Sequence, residues 1–459
     1  MLISHGTHMT IDRFSRLMSI PALVFCMLVY AATSLQAASI SLLRDADIEQ
    51  GLSRLAAPVL RAAGLNAKRV RILLVDDPSF NAFVIDSRTI FVHYGLILKV
   101  KNADMLQAVI AHEAAHITNG HLARRMQNMR SAGNAAGLGL ALAVLAAAAG
   151  GGNEAAAGIA IGTQSSALRG FLSHTRAEES SADRSAAGYL NQAGISPKGL
   201  VELHRAFAGQ EVLSRTNQDP YMRSHPMSRD RMRAAEAYLA RYGDTSKPNP
   251  QGDYWFARLQ GKLSAFTRSP KWTMRRAKEE SHKDIRLMRE AIAHHRRRDL
   301  KKALTAINGA LAIRPQDAFY HELKGQILME NRRWGAAKSS YGRAVQLAPS
   351  DSLVLAGYGR AQLAAGEPKA ALRTMEKSRN LDFRNALLLR DMSQAYAKTG
   401  QTGMAALVTA ERYALAGRLN DAGLHAKRAS ALLPRGSATW RRAQDVLVAF
   451  EQSEKRKRR

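Results

Sequence analysis

Cysteine is almost absent from this chain of 459 residues, in which the only one is Cys26. It lies in an N-terminal apolar run that has the features of a cleavable export signal, so the mature chain would contain no cysteine. Disulfide bonds therefore cannot stabilise the mature fold. A cysteine-free chain that carries an export signal is typical of the bacterial periplasm, where a stray thiol would be oxidised or mispaired.

Long apolar runs are absent as well. The run at residues 20–32 follows Arg13 and Arg16 and leads to Ala37, a small residue at the expected cleavage point. It is shorter than the roughly 20 apolar residues that a membrane-spanning helix needs. We therefore interpret residues 1–37 as a signal peptide.

A second apolar stretch, at residues 138–149, is about half as long as a spanning helix requires. Ala, Gly and Leu dominate the surrounding segment at 132–162, and Gly150 begins a break in it. We predict a helical hairpin there. It would be either a lid over a neighbouring cleft or a shallow contact with a membrane surface, and its small residues favour the lid because they bury little area in a membrane.

Acidic residues are few in comparison with basic ones, since 38 Asp and Glu stand against 67 Lys and Arg and the formal net charge is +29. Such a charge favours anionic partners: nucleic acid, acidic lipid or lipopolysaccharide surfaces, or acidic protein segments. Export argues against nucleic acid and leaves peripheral membrane contact open. The alternative is that the charge only keeps a helical protein in solution.

The motif that carries chemistry is H-E-x-x-H at residues 112–116, within a run of good helix formers. Residues four apart lie on one face of a helix, so His112 and His116 can present two imidazoles to one metal ion. In this motif Glu113 is the carboxylate that takes a proton from the metal-bound water. An exposed amphipathic helix is the alternative, but the apolar residues on both sides favour a packed helix with the histidines directed inward.

A catalytic zinc needs three protein ligands and one open position, so a third ligand is required. The best candidates lie at residues 176–184, where Glu179 and Asp183 are four apart on a predicted helix. Glu179 could bind the metal, while Asp183 orients a metal-binding histidine without itself touching the metal.

H-E-x-x-H followed by E-x-x-x-D-R resembles the gluzincin metallopeptidases of peptidase family M48, which include the CAAX prenyl protease and the BepA-type periplasmic proteases. Further short motifs match the family, in the family's order, at residues 81–83, 91–97, 219–221 and 224–226. The family's spacing selects Glu179 rather than Glu178. The resemblance implies Zn²⁺ held by His112, His116 and Glu179. Ser181 departs from it, because relatives often carry an acidic residue there.

The same resemblance implies that His225 lies close to the metal. Pro226 restricts the preceding backbone to an extended form, so the imidazole is held on a loop. His225 could occupy the open metal position and make the enzyme latent, or it could stabilise the transition state. A third interpretation is that it only caps a neighbouring helix.

The segment before the motif predicts a helix and a small sheet. Apolar residues at helical spacing from Ile48 to Leu60 predict a helix that stops at Gly64. Residues 70–75 and 89–92 are rich in β-branched residues and predict strands. In zinc peptidases an edge strand of such a sheet can pair with an extended substrate. The alternative is a sheet that only covers the core.

From about residue 285 the sequence repeats with a period of 34 residues, the tetratricopeptide period. The matching columns are Ala303, Ala337, Ala371 and Ala405; Ala310, Ala344 and Ser378; Ile307, Tyr341 and Met375; and Pro315 and Pro349. About four units and a shortened last one would stack into a curved solenoid with a groove for peptides or partner proteins. A passive spacer is the alternative.

We therefore predict an α+β, mostly α fold: a gluzincin-type helical metalloprotease domain with a small β-sheet, followed by an α-solenoid of tetratricopeptide repeats. The predicted division is a signal peptide at 1–37, the peptidase domain at 38–243, a linker and docking segment at 244–284, the repeats at 285–434 and a basic C-terminal tail at 435–459.

The predicted function is a zinc endopeptidase of the periplasm, with Glu113 as general base. The resemblance implies quality control of outer-membrane proteins, with unfolded or misassembled substrates and with the outer-membrane assembly machinery bound through the repeats. The alternative is a periplasmic chaperone or assembly scaffold that acts through its repeats and carries a latent protease site.

Overall fold

The computed structural model describes residues 41–131, 174–213, 217–243 and 248–457. The predicted signal peptide and the predicted hairpin at 132–162 lie outside these residues. Within the four ranges, no helix combines the length and the apolar character that crossing a membrane requires.

A four-stranded sheet and eight helices form the part of the described chain that ends at Tyr242. The strands are β1 (Leu42–Leu43), β2 (Arg71–Val75), β3 (Ala82–Asp86) and β4 (Thr89–His93). The helices are α1 (Ala46–Ala62), α2 (Tyr94–Lys99), α3 (Ala103–Thr118), α4 (His121–Ser131), α5 (Arg176–Gln192), α6 (Lys198–Ala206), α7 (Pro220–Ser224) and α8 (Arg229–Tyr242), with a short 3₁₀ helix at Gln210–Val212.

Helices alone make up the rest of the described chain. They are α9 (Pro250–Thr267), α10 (Pro270–Ala277), α11 (Lys283–Arg296), α12 (Leu300–Ile313), α13 (Ala318–Glu330), α14 (Trp334–Leu347), α15 (Ser352–Ala364), α16 (Pro368–Leu381), α17 (Ala386–Lys398), α18 (Thr402–Leu415), α19 (Leu419–Leu432) and α20 (Ala438–Lys457). The predicted fold class, mostly helical with a small sheet and a helical repeat region, is confirmed.

Helix α1 begins at a side-chain cap and ends at a glycine. The carboxylate of Asp45 accepts a hydrogen bond from the Ile48 amide at 3.0 Å, which satisfies one of the free N–H groups of the first turn. Gly64 has a φ of +70°, a conformation that favours glycine and ends the helix. The predicted helix is confirmed, with its apolar face in the core.

The sheet has the strand order β1-β2-β4-β3. Strands β2 and β4 are parallel, with Leu73 opposite Phe91, and both coincide with the predicted strands. Strand β3 is antiparallel to β4 and occupies one edge. Its five residues lie between two turn-forming segments, and we did not predict them as a strand.

Helix α3, which carries the H-E-x-x-H motif, lies at the centre of this part of the protein. Asn102 caps it by accepting a hydrogen bond from the Met105 amide at 2.9 Å. Almost every residue from Ala103 to His116 is buried, with α5 and α6 packed against the helix. Gly199 permits the close approach of α6, because a Cβ there would lie 2.3 Å from the carbonyl oxygen of Asp104.

Helix α9 corrects part of one prediction, because the segment at 244–284, predicted as a linker and docking segment, is helical from Pro250. The side chain of Asn249 accepts a hydrogen bond from the Gly252 amide at 2.9 Å, and proline is well suited to the first helical position. Residues 244–247 lie outside the described residues. Some of the proline and polar residues that suggested a linker therefore belong to the start of this helix.

The same helix joins the two parts of the chain. Phe256 and Leu259 of α9 are buried in the core that contains α1, α3 and the sheet. Tyr254 and Ala265, also on α9, pack in a second apolar cluster with helices α11 to α13. Helix α9 therefore contributes residues to both apolar clusters.

Helices α11 to α20 stack as consecutive pairs, and the helix starts repeat at the predicted period. Helices α12, α14, α16 and α18 begin at residues 300, 334, 368 and 402, each 34 after the last. The small residues Ala303, Ala337 and Ala371 are fully buried between helices. Gly325 and Gly359, also 34 apart, sit against the side chains of Tyr341 and Met375. Small side chains therefore set the helix spacing in each unit.

The C-terminal segment departs from the prediction of a basic tail at 435–459. Helix α20 packs on α19 and buries Ala443, Val446 and Ala449. These three residues lie at helical spacing, so one face of the helix is apolar and packs on α19 although the residues beyond it are charged. The stack thus continues to Lys457 in the described chain.

A buried network of ion pairs connects the stack to the sheet-containing part. Arg258 of α9 donates from Nε to Asp47 at 2.8 Å and from Nη2 to Asp317 at 2.8 Å. Lys262, one turn later, donates to Asp45 at 2.8 Å. Asp45 and Asp47 belong to the start of α1, and Asp317 caps α13. The network therefore links the start of α1 to the cap of α13 through α9, and removal of one partner would leave an unpaired buried charge.

Glu322 of α13 makes this network sensitive to pH. Its Oε2 lies 3.7 Å from Lys262 Nζ, and burial raises the pKa of Glu322 from 4.5 to about 7. The folded protein thus binds this proton more tightly than the unfolded chain. The stability that this group contributes is full below about pH 4.5 and is lost as the pH rises through 7.

We expect Glu322→Gln to reduce the loss of thermal stability between pH 5 and pH 8, because glutamine resembles the protonated side chain. The measurement is the melting temperature across that range for the wild type and the variant. Glu330→Gln is the control, since the pKa of Glu330 is lowered, first through its hydrogen bond with His295. Parallel curves for the wild type and Glu322→Gln would show that Glu322 does not titrate in this range.

Candidate metal centre

Helix α3 places two imidazoles side by side. The Nε2 atoms of His112 and His116 are 3.1 Å apart, and both side chains are buried. Two ring nitrogens this close together are arranged as ligands of one ion. The structure therefore places His112 and His116, the two histidines that we expect to bind the metal, side by side.

Helix α5 brings a carboxylate to the same point. Its first turn is fixed by a capping box between Thr175 and Glu178, which leaves the next residue, Glu179, facing α3. Glu179 Oε2 lies 3.3 Å from His112 Nε2, and Oε1 lies 3.3 Å from His116 Nε2. Glu178 instead bonds Arg125 at 2.8 Å, so the two neighbouring glutamates have different surroundings.

The spacing of these atoms suits a small metal ion. Nitrogen and oxygen ligands bind zinc at about 2.0–2.2 Å in a tetrahedron, which places neighbouring ligand atoms roughly 3.3 Å apart. His112, His116, Glu179 and His225 each offer one ligand atom, and all four lie within 4.8 Å of one another. The residues present therefore fit a single tetrahedral ion.

The electrostatics of the cluster favour a cation. Burial alone would lower the pKa of His112, but Glu179 and Asp183 outweigh it and raise that pKa to about 10. Burial alone would raise the pKa of Glu179, but His225, Arg231 and His112 hold it well below its usual range. Against the effect of burial, the pKa of Asp183 is likewise held well below its usual range, mainly by Arg231. Glu179 and Asp183 therefore favour positive charge between the ligand atoms.

The pKa of His116 is shifted in the opposite direction from that of His112. Burial is the main reason that the pKa of His116 lies well below its ordinary value. A neutral imidazole has a free lone pair, which is the form that binds a metal ion.

Glu113 lies beside the ligand atoms and is fully buried, yet neither of its carboxylate oxygens has a hydrogen-bond partner among the described residues. Burial raises its pKa. Its Oε1 is 3.4 Å from His225 Nε2. Buried polar groups are rarely left unsatisfied, so this carboxylate is arranged for a partner that arrives with water or substrate.

Asp183 lies behind the proposed ligands. Its Oδ1 lies 3.0 Å from His112 Nδ1, on the side of the ring away from the cluster, and this contact fixes the ring's orientation. Arg231, a residue that the sequence did not suggest, holds the aspartate from α8 with donors at 2.6 and 2.8 Å. The same guanidinium lies 2.7 Å from Glu179 Oε2.

His225 follows the last residue of α7 and reaches the cluster from a third direction. Its Nδ1 is 3.0 Å from Glu179 Oε1 and 3.3 Å from His112 Nε2. The loop after it is held by Arg231 Nη1, which donates to the Pro226 carbonyl oxygen at 2.9 Å. The structure therefore places His225 beside the proposed ligands, and its role stays a prediction.

Comparison with known proteins agrees with this centre. Residues 42–239 match the family model described as "Peptidase family M48". We refer to these residues, which are similar to that family, as the M48 domain. The predicted family and enzyme class are thereby confirmed, and the chain is a metalloendopeptidase.

The relatives align with different shares of the chain. The beta-barrel assembly-enhancing protease of Escherichia coli K12 is 23% identical over 393 residues, which are 84% of this chain and 79% of that protein. A "Putative beta-barrel assembly-enhancing protease" of Vibrio cholerae is 29% identical over 187 residues, which are 41% of this chain and 38% of that protein. "Mitochondrial metalloendopeptidase OMA1" of Schizosaccharomyces pombe is 27% identical over 202 residues, or 41% of this chain and 52% of that protein.

Among solved structures, MamA from Desulfovibrio magneticus RS-1 matches with a TM-score of 0.31 at 20% sequence identity. The match covers 35% of this chain and 93% of that one.

Two further histidines of the M48 domain lie beside the centre and were missed by sequence reasoning. His121 Nδ1 is 2.8 Å from His116 Nδ1, so it orients the second ligand as Asp183 orients the first. The ring of His174 lies 3.6 Å from that of His116, centroid to centroid. His121 begins α4, five residues after the motif, and this short separation is the signal that could have identified it.

We expect Asp183→Asn to weaken metal binding in the M48 domain by roughly 10–100-fold, the usual cost of losing such an outer contact. The asparagine would also leave Arg231 with one buried anion fewer. Competition with a chromophoric chelator measures the affinity. Asp230→Asn is the control, because Asp230 lies on the same helix as Arg231 but is exposed. Equal affinities for wild type and Asp183→Asn would remove Asp183 from the metal centre.

Proposed function

We propose that the chain is a zinc endopeptidase of the bacterial periplasm that cleaves unfolded or misassembled outer-membrane proteins. The observation that carries the proposal is the convergence of His112, His116 and Glu179 within 3.3 Å of one another, with Glu113 buried beside them. Three such ligands and a neighbouring carboxylate suit peptide hydrolysis.

A bound zinc ion would polarise the scissile carbonyl and acidify a water molecule. Glu113 then accepts a proton from the attacking water and delivers it to the leaving amine nitrogen. Its raised pKa and its lack of competing hydrogen bonds suit both transfers. Asp183 and Arg231 keep His112 and Glu179 in place during the reaction.

The periplasmic location and the substrate class rest on the relatives and on the predicted signal peptide. Several relatives are named beta-barrel assembly-enhancing proteases. We infer that the helical stack binds the outer-membrane assembly machinery, and that the basic charge of the chain, +29 in total, allows peripheral contact with an anionic membrane. An exported protein has no nucleic-acid partner in this proposal.

A second candidate function is a chaperone or assembly scaffold with a latent protease site. It is supported by His225, whose Nδ1 lies 3.0 Å from Glu179 and 3.3 Å from His112. An imidazole there occupies the position that a water molecule needs.

Metal analysis of the purified mature protein tests the proposal directly. We expect about one zinc per chain, together with casein cleavage that a chelator stops and added zinc restores. A protein without stoichiometric zinc would refute the zinc-peptidase proposal. Cleavage that survives complete metal removal would refute it equally.

We expect the last repeats to contact assembly proteins of the outer membrane. Deleting the repeats is a poor test, because it would expose Arg258 and Tyr254, which are buried against the stack. A photo-crosslinking residue at Leu424, which is 68% exposed on α19, should instead capture such proteins in cells. The control position is Val212, which is 83% exposed in the M48 domain. Capture of the same proteins from both positions would contradict a specific role of the repeats.

A further inference from the structure

Two arginines of the helical stack have a backbone conformation that favours glycine. Arg298 and Arg332 have φ values of +60° and +58°, and every other residue of the described chain with a positive φ is a glycine. The two arginines are 34 residues apart, and Gly366 and Gly400, with φ values of +84° and +77°, occupy the equivalent positions of the next two units. A side chain at a positive φ strains the backbone. The first two units thus keep an arginine where glycine would fit without strain, and such strain is concentrated at functional sites.

The two arginines lie in turns that are neighbours in the stack. Arg298 belongs to the turn between α11 and α12, and Arg332 belongs to the turn between α13 and α14. His295 Nε2 lies 2.7 Å from Glu330 Oε2, so the ends of the two helices that lead into these turns are in contact. Each turn contains a second arginine, and we call the four residues the arginine edge: Arg297, Arg298, Arg332 and Arg333.

The side chains of the arginine edge are available to a partner. All four residues are exposed, and none of them has an ion-pair partner among the residues that the structure describes. The one acidic residue in the sequence of the two turns is Asp299, and its Oδ2 lies 3.1 Å from Lys302 Nζ. Because this acidic charge is already paired, the four guanidinium groups remain as an excess of positive charge.

The turn that contains Arg332 lies at the end of α13 that is remote from the contacts with the M48 domain. At the start of this helix, Asp317 accepts a hydrogen bond from Arg258 Nη2 at 2.8 Å, and Arg258 also donates to Asp47 of α1. A helix of 13 residues is about 20 Å long at a rise of roughly 1.5 Å per residue. The ion pairs between the stack and the M48 domain therefore do not cover this turn.

The composition of the arginine edge distinguishes among anionic partners. Among the described residues, the exposed large apolar side chain nearest to these turns along the chain is Ile313, at the opposite end of α12. A stable interface with another protein has an apolar centre with aromatic or aliphatic anchors, and this edge offers none. Arginine provides instead a planar fork of donors that matches the oxygens of a phosphate group. The edge therefore suits a layer of phosphate groups better than an acidic protein.

We infer that the arginine edge binds the phosphate groups of an anionic lipid bilayer. Four guanidinium groups on two adjacent, exposed turns suit a surface that presents many phosphates, and each basic residue near such a surface adds to the attraction. The inference gives a position to the membrane contact of the proposed function, and its role in the cell rests on the proposed export of the chain. Binding to the bilayer itself does not depend on peptide hydrolysis.

Sedimentation of the purified mature protein with lipid vesicles tests the inference. We expect binding to phosphatidylcholine vesicles that contain about 30% phosphatidylglycerol, and much weaker binding to vesicles of phosphatidylcholine alone. The double variant Arg298→Gly with Arg332→Gly should bind the anionic vesicles at least about tenfold more weakly. Its melting temperature should not fall, because glycine adopts a positive φ without strain. Unchanged binding of this variant, or equal binding of the wild type to both kinds of vesicle, would overturn the inference.

A charge-matched control separates the arginine edge from the net charge of the chain. Arg373→Gln with Lys377→Gln removes the same two charges from exposed positions on α16, and this variant should bind as the wild type does. Equal losses in the two variants would show that only net charge matters and would overturn the inference. Loss of vesicle binding in inorganic phosphate at constant ionic strength, or equally tight binding of soluble polyglutamate, would assign the edge to a free anion or an acidic polypeptide instead. Failure of the peptidase proposal would appear in the metal analysis and would leave the vesicle results unchanged.

Discussion

Glu113→Gln is expected to abolish cleavage of an unfolded protein such as casein while leaving the fold and the bound metal in place. A positioned general base contributes about 10²–10⁴-fold to the rate of such a reaction, and glutamine cannot accept the proton. The carboxylate makes no hydrogen bond among the described residues, so its replacement by an amide of the same shape breaks no hydrogen bond and changes only the 3.4 Å contact with His225.

The experiment compares cleavage rate, zinc content and melting temperature for the wild type and Glu113→Gln. Glu178→Gln is the control: it neutralises a carboxylate near the centre that bonds Arg125 rather than the ligand histidines, and it should retain activity. If Glu113→Gln cleaves as well as the wild type, Glu113 is not the base and the scaffold function becomes the better explanation. If Glu178→Gln loses its zinc, the choice of Glu179 as the ligand is wrong.

The features that could be predicted from the sequence are those set by neighbours along the chain. Helices α1 and α3 follow from apolar periodicity and from caps within three residues of their starts. The relative placement of His112 and His116 follows from helix geometry alone. The 34-residue period of the repeats is likewise visible in the sequence, because every unit must bury the same small residues.

The features that could not be predicted depend on residues far apart in the chain. Arg258 and Asp47 are 211 positions apart, and nothing in either segment indicates that they form a buried pair. Arg231 reaches Asp183 from a helix that reads as an ordinary charged surface helix, with arginine at three of its first five positions. Such pairings result from the packing of α8 on α5 and of α9 on α1, which local patterns do not specify.

One set of helix-capping residues could have been predicted from the sequence, but we did not predict it. Asp317, Asp351 and Asn385 are 34 apart, and each caps a helix of the stack by accepting hydrogen bonds from backbone amides two and three residues later. Side-chain caps of this type are a recognised helix-start signal. Their period would have placed the helix starts of α13, α15 and α17 directly, because the cap and the small buried residues repeat together.

His225→Ala is expected to raise basal proteolysis, including self-cleavage, by roughly tenfold or more. The ring lies 3.0 Å from Glu179, 3.3 Å from His112 and 3.4 Å from Glu113, so it contacts two of the proposed ligands and the proposed base at once. Substrate and water can reach that position only when the ring leaves. If the open form is a minor state of about 0.1–10% of the molecules, the apparent activity is reduced by that fraction, and removal of the ring restores it.

The sign of the change distinguishes the two roles of this histidine. In the first role, His225 blocks the open metal position, and Arg231 fixes its loop through the Pro226 carbonyl. Loss of the imidazole would then open that position while His112, His116 and Glu179 retain the zinc. As a group that stabilises the transition state, its loss would lower turnover at unchanged zinc content, which would contradict latency. His282→Ala is the matched control, because His282 precedes α11, far from the centre in the chain, and its side chain is 36% exposed. Casein cleavage and zinc content measured together on the three proteins decide between a latent protease and one whose histidine takes part in each turnover.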